Sequence, residues 1–270
     1  MDDPIKYIKL ANAEIVLNIS VSAIFVAILV LQLLVRRGSV KFHYYFLLAA
    51  NVFALISNAI NVGFYNTYID SNGPVLALII LGYMSDAFFG LTAVLTLRQF
   101  TASYLGGPTF VITVMCSLAI AACLAIIIVA GLYAQSIVTL STSNHVNTLY
   151  SADLWTFFAL WVWLLLLLLV IRITYHTKVP HNENRSTIIK TFCLLSLYII
   201  MMFAFYLYVI ITTSVAKIVL AQDFGIVVGN VILNILLYRG STLLFVMFYN
   251  KLSVMTPLPL GRDTHEICEV

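Results

Sequence analysis

The chain has 270 residues, of which 62% are hydrophobic and only 9% charged, and its formal net charge is +3. A soluble domain carries roughly a quarter charged residues, so this composition excludes a water-soluble protein. The small net charge gives no reason to expect a nucleic-acid partner, and where the charges sit says more than their sum.

Seven apolar stretches follow one another along the chain. The first covers 13–35 and stops at Arg36-Arg37; the second covers 44–65. The third, 74–97, begins at Pro74 and ends before Arg98, and the fourth covers 109–133. The fifth, sixth and seventh cover 154–171, 187–212 and 224–248, and a tail of 249–270 remains. Spans of about 20–25 residues suit a helix crossing a bilayer. Lipid offers the backbone no hydrogen-bond partner, so only helices or closed barrels can span it. Barrel strands alternate apolar and polar residues, and an unbroken run such as 164–170 does not. All six prolines (Pro4, Pro74, Pro108, Pro180, Pro257 and Pro259) fall at span edges or in loops. The expectation is an all-α membrane protein: one domain over 1–270, a seven-transmembrane helix bundle with membrane lipid as its first partner.

Positive charge sets the orientation, because cytosolic loops collect Lys and Arg. The odd-numbered gaps and the tail hold ten: Arg36, Arg37, Lys41, Arg98, Arg172, Lys178, Arg185, Lys190, Lys251 and Arg262. The other side holds three, Lys6, Lys9 and Lys217, while Arg239 lies within the seventh span. That bias places the N-terminus outside and the C-terminus in the cytosol, as expected of a multi-pass protein of the plasma membrane. The first span is too long for a signal-peptide core and Asp2-Asp3 dilute any basic leader, so it reads as a retained anchor helix. Cys116, Cys123 and Cys193 fall inside spans as small apolar packing residues, and no cysteine lies in a predicted outer loop.

Polar residues inside a bilayer are costly and need partners. Asp86 in the third span and Arg239 in the seventh are the charges nearest mid-membrane. At 1.5 Å per residue their depths differ by about 4–5 Å, within reach of a long arginine. An Asp86–Arg239 ion pair is expected, as a lock that activation opens or as a static bridge; the alternative is Arg239 snorkelling to the headgroups. Asn51 and Asn58 share one face of the second helix, and Asn230 and Asn234 one face of the seventh. They read as interhelical amide bonds, with Asn18 as a further member. Aromatic residues crowd the fifth and sixth spans, and Phe88, Phe89, Phe205 and Tyr206 are candidates to line a small-ligand pocket.

Several chemistries find no residues. All five histidines (His43, His145, His176, His181 and His265) lie in loops or the tail, so no intramembrane metal cluster is available. The seventh span has no lysine for a retinal Schiff base, and no Gly-rich phosphate loop is present. Neither an enzyme nor a resident metal or cofactor is expected.

The third span ends Leu95-Thr96-Leu97-Arg98-Gln99-Phe100, followed by Ala102-Ser103-Tyr104. This resembles the Arg-containing cytosolic end of the third helix in G-protein-coupled receptors, although Leu97 stands where that family has Asp or Glu. The seventh span ends Arg239-Gly240-Ser241-Thr242, then Tyr249-Asn250-Lys251. That is similar to the end of the seventh helix in nematode serpentine chemoreceptors. The helix prolines and outer disulfide of rhodopsin-type receptors are missing. The resemblance implies a chemosensory receptor for an unidentified small molecule, with Arg98 and the basic loop 174–186 meeting a heterotrimeric G protein. Rival readings are a seven-helix transporter or channel for a small solute, without the repeat such transporters show, and a structural membrane protein with no ligand.

Overall fold

A computed structural model describes residues 4–35, 42–66, 72–104, 108–139, 143–178, 185–219 and 224–244, and among these there is no strand. The helices are α1 (Pro4–Val35), α2 (Phe42–Asn66), α3 (Asn72–Tyr104), α4 (Phe110–Val138), α5 (Ser143–Lys178), α6 (Arg185–Val219) and α7 (Phe224–Leu233). A π-helical segment, Asn234–Arg239, continues α7, and regular helix resumes to residue 244. Six helices are long and apolar enough to cross a bilayer, which makes this a multi-pass membrane architecture. The last stretch carries a shorter apolar run, Val231–Leu244. The expected span end at 248, and Tyr249-Asn250-Lys251 beyond it, lie outside the described residues.

The helices outrun the apolar spans that mark them. α5 starts at Ser143, eleven residues before the apolar edge at 154, and α6 runs on to Val219. Neither extension contains proline, so nothing in the chain stops the helix where hydrocarbon gives way to headgroups. Helix starts obey local chemistry. Pro4 and Pro74 sit in first turns, where the missing N–H has no intrahelical acceptor to lose. Before α4, Thr109 takes an extended backbone and its hydroxyl accepts from the Ile112 N–H at 3.4 Å.

Cross-helix contacts fix the topology. Ser57 Oγ donates to the Leu78 carbonyl at 3.1 Å and Ser85 Oγ to the Ala50 carbonyl at 2.8 Å, so α2 and α3 run antiparallel. Trp163 Nε1 donates to the Met115 carbonyl at 2.9 Å between α5 and α4. Trp161 stacks edge-on against Tyr198, and Arg172 lies over Phe192, between α5 and α6. Ser241 meets Met202, and Tyr238 meets Phe205, between the last stretch and α6. α1 and α7 run parallel, with Glu14 beside Asn234 and Asn18 beside Arg239. The result is an up-and-down ring whose last helix returns to the first, with α3 packed inward against α2, α4 and α5.

The outer faces of the ring are apolar. Val111, Leu118, Ile128 and Leu132 of α4, and Leu166, Leu169 and Ile173 of α5, are exposed along their helices. A soluble monomer does not leave such continuous stripes uncovered, whereas helices of bilayer-spanning length present them outward. Inside, Leu97, Ile112, Leu160, Leu164, Leu195 and Ile199 are fully buried. Close approach depends on small residues, because van der Waals packing drives helix association in lipid. A Cβ on Gly90 would lie 2.8 Å from Leu160 Cδ2 and 3.3 Å from Cys123 Sγ. Cys116 and Cys123 fill this interior as free thiols, whereas Cys193 is exposed on α6 and does not pack in the core as expected. The buried hydroxyls of Thr92 and Thr96 are satisfied within their own helix, each donating to the carbonyl four residues back at 2.7 Å.

Candidate functional site: a polar cavity between α1, α2, α3, α6 and the π segment

A cavity of about 420 Å³ opens in the half of the bundle where α1, α3 and α7 begin. Its wall includes Asn18 of α1, Ser57, Asn58 and Asn61 of α2, and Gly82, Tyr83, Ser85 and Asp86 of α3, closed by Phe205 of α6 with Asn234, Tyr238 and Arg239 of the π segment. The volume falls in the usual range for small-molecule sites, roughly 300–1,000 Å³. The wall is far more polar than the surrounding core, a lining that suits water or a polar ligand rather than an apolar side chain.

The π segment shapes this wall. The Gly240 N–H reaches the Ile235 carbonyl five residues back. One extra residue in the turn re-aims the side chains beyond it, and such segments gather at functional sites. Tyr238 turns to α3, where its hydroxyl donates to the Asp86 carboxylate and its ring meets Phe89 edge-on with centroids 5.9 Å apart. Arg239 turns to α1. It is 8% exposed and donates from Nε to Asn18 Oδ1 at 2.9 Å and from Nη1 to Ser22 Oγ at 3.4 Å. Its guanidinium carbon lies 5.0 Å from the Tyr238 ring centroid, a cation–π contact.

The expected direct ion pair is therefore not formed, and Arg239 does not snorkel. Both charges line one cavity, but Tyr238 stands between them, bonded to the acid through its hydroxyl and to the base through its ring. The parallel course of α1 and α7 puts Asn18 closer to the guanidinium than Asp86 is.

The amides also bond differently from expectation. Asn51 Nδ2 donates to the Leu47 carbonyl at 2.8 Å and Asn58 Nδ2 to the Ala54 carbonyl at 2.7 Å, both within α2. The interhelical bonds come from Asn18, to Arg239, and from Asn234, whose Nδ2 donates to Glu14 Oε1 at 2.8 Å. The side chain of Asn230 lies outside the described ones.

Of the four aromatic pocket candidates, Phe205 alone lines the cavity. Phe88 packs on Phe46 and Phe53 of α2, and Phe89 is buried against Tyr238. Tyr206 stacks on Phe157 with centroids 5.1 Å apart and lies 6.3 Å from Trp161. Phe89 and Tyr206 are core residues, Phe88 is half-buried at the core's edge, and the Tyr206 hydroxyl lies beside Asp86.

Three participants lie outside the residues expected from the sequence: Tyr238, Glu14 and Asp153. Glu14 is an acid inside the first apolar span, and that alone marks it as needing a partner. Asp153, one residue before the fifth span, is fully buried. Its carboxylate faces Tyr83, the hydroxyl placed nearest to serve as its donor, with Tyr133 close by. Tyr83 also lines the cavity, so Asp153 sits behind its wall.

Compared with models of protein families, with curated proteins and with solved structures, the chain matches none. Among the described residues no group of three or more His, Cys, Asp or Glu is placed to hold a metal.

Arg98 lies at the opposite end of α3 from the cavity and is exposed. Near it Phe100 meets Phe192 of α6 with centroids 5.9 Å apart. A small cleft there is lined by Phe100, Arg172, Tyr175, Ile188 and Phe192, so α3, α5 and α6 converge at that end. Of the basic loop expected at 174–186, residues to Lys178 continue α5 and α6 begins at Arg185; 179–184 lie outside the described residues.

Proposed function

We propose that the chain is a seven-transmembrane receptor, N-terminus outside and C-terminus in the cytosol, that takes a small molecule in the polar cavity and couples to a heterotrimeric G protein. The observation that carries this reading is the cavity itself. It is a ligand-sized polar chamber in the half that the charge bias assigns to the outside, while exposed Arg98 stands at the far end of the same helix. Phe205 and Tyr238 meet at its wall with centroids 5.3 Å apart. Below them Tyr206, Trp161 and Tyr198 continue the ring contacts along α5 and α6 toward the Arg98 end. A ligand that binds one packing of α6 against the π segment better than another shifts the population between them. The converging ends of α3, α5 and α6 are where that shift reaches the cytosol. The nematode chemoreceptor family is the resemblance that fits this reading.

A second reading has one observation behind it. A helix interrupted beside a polar chamber is also how solute transporters build their binding sites. One experiment separates the two. The full chain is expressed in cells with a surface tag on its N-terminus and a promiscuous G protein, and second-messenger output and solute uptake are measured across a panel of small polar molecules. Surface labelling without permeabilisation, with a messenger response abolished by Arg98→Ala, is expected. Uptake without any messenger change overturns the receptor reading in favour of transport.

A further inference from the structure

The cavity holds an acid and a base that act on each other electrostatically but do not pair directly. In a bilayer, opposite charges this close usually pair directly. Here Tyr238 holds them apart, and each keeps binding capacity to spare. Asp86 accepts from Tyr238 at Oδ1, and the Tyr206 hydroxyl lies beside the same carboxylate without a hydrogen bond of its own, so the second oxygen keeps room for a donor. Arg239 has five N–H donors, of which the protein takes one at 2.9 Å and one weakly at 3.4 Å. The remaining guanidinium donors have no acceptor among the described residues, and Arg239 lines the cavity. Two further amides and a hydroxyl from α2 (Asn58, Asn61 and Ser57) complete a polar wall.

This arrangement selects by charge. A small anion would gain Arg239 but face Asp86, and a small cation would gain Asp86 but face Arg239. A neutral molecule would leave both charges unmatched. A molecule with both charges a few bonds apart meets neither conflict. Its carboxylate accepts the guanidinium's two free parallel donors, the geometry in which Arg–carboxylate pairs are strongest. Its ammonium donates to the second oxygen of Asp86. Resting on the reading of this cavity as a ligand site, we propose that its ligand is a small zwitterion of the α-amino-acid type, bound by carboxylate to Arg239 and by ammonium to Asp86. Phe205 and Tyr83 border the chamber and supply the apolar surface for its side chain.

The test uses the purified full chain in detergent and the twenty common amino acids as probes, read by thermal unfolding. At least one amino acid should raise Tm by a few degrees, saturably. Its deaminated and decarboxylated analogues, for leucine 4-methylpentanoate and 3-methylbutylamine, each keep one charge and should bind at least about tenfold more weakly. Asp86→Asn should remove the preference for the amino acid over the carboxylate analogue. In case Asp86→Asn does not fold, Gly82→Leu fills the chamber from a position where a Cβ meets only Ser57 Oγ at 3.5 Å. That variant should keep its Tm and lose the ligand-induced rise. Equal binding of amino acid and carboxylate analogue overturns the zwitterion, as does failure of all twenty to bind. The cavity reading is tested apart from it: a messenger response that persists at full strength in Gly82→Leu places the ligand elsewhere.

Discussion

Between α3, α4 and α5 the bundle is closed by small residues and rings; between α1, α3 and the π segment it is held apart by polar side chains. In the first region Gly90 admits Leu160 and Cys123 to within a methyl group's width, and Trp161 packs on Tyr198. In the second, Asn18, Ser22, Asp86, Tyr238 and Arg239 bond one another around a polar chamber. Lipid gives the two regions different rules. Dispersion and shape hold the dry side, where one added methylene is felt. Charge balance holds the wet side, where removing one member strands another. The regions should therefore respond oppositely to size and to charge.

The largest expected effect is on the wet side. Asp86→Leu leaves Arg239 as an unbalanced charge in the chamber and should cost about 3–5 kcal/mol, seen as a lower Tm of the purified chain and loss of surface expression. Asp86→Leu with Arg239→Met removes both charges and should recover more than half of that loss. If the double variant is as unstable as the two single losses added together, the charges are not coupled through Tyr238. On the dry side the same charge-neutral leucine is harmful through size alone. Gly90→Leu should cost about 1–3 kcal/mol through overpacking. Gly131 is the matched control, since a Cβ there meets nothing within 4 Å. Gly131→Ala should leave Tm unchanged or raise it, by up to about 1 kcal/mol of helix propensity.

The two regions are also unequally legible in the sequence. Hydrophobic runs locate six long helices because lipid imposes a length and forbids unpaired backbone, constraints written into composition. Asp86 and Arg239 stand out because they are charges inside apolar runs. Their partners do not, since partner choice depends on rotation about the helix axis and on which helices are neighbours. The π segment changes that rotation at Tyr238 and Arg239, and nothing in Asn-Ile-Leu-Leu-Tyr-Arg announces it. Phe88, Phe89 and Tyr206 do not line this cavity for the same reason: an aromatic residue gives its size away, not the direction it faces.

The smallest effects come from the asparagines, which the sequence treats alike and the fold does not. Asn234 donates across the bundle to Glu14, so Asn234→Leu should cost roughly 0.6–1.7 kcal/mol, the scale of interhelical bonds in membranes. Asn51 is fully buried, yet its amide returns to the Leu47 carbonyl of its own helix and its Oδ1 has no partner among the described residues. A buried acceptor left unsatisfied costs about 1–3 kcal/mol, and that penalty offsets whatever the returning bond contributes. Leucine has nearly the same volume and no group to satisfy. Asn51→Leu should therefore change stability by less than about 1 kcal/mol, in either direction. Equal Tm losses at Asn51 and Asn234 would mean that Oδ1 of Asn51 has a partner in the membrane, and that the polar region extends from the chamber down α2. A loss confined to Asn234 keeps the boundary between the wet and dry sides above Asn51, where Ser85 of α3 bonds to the Ala50 carbonyl.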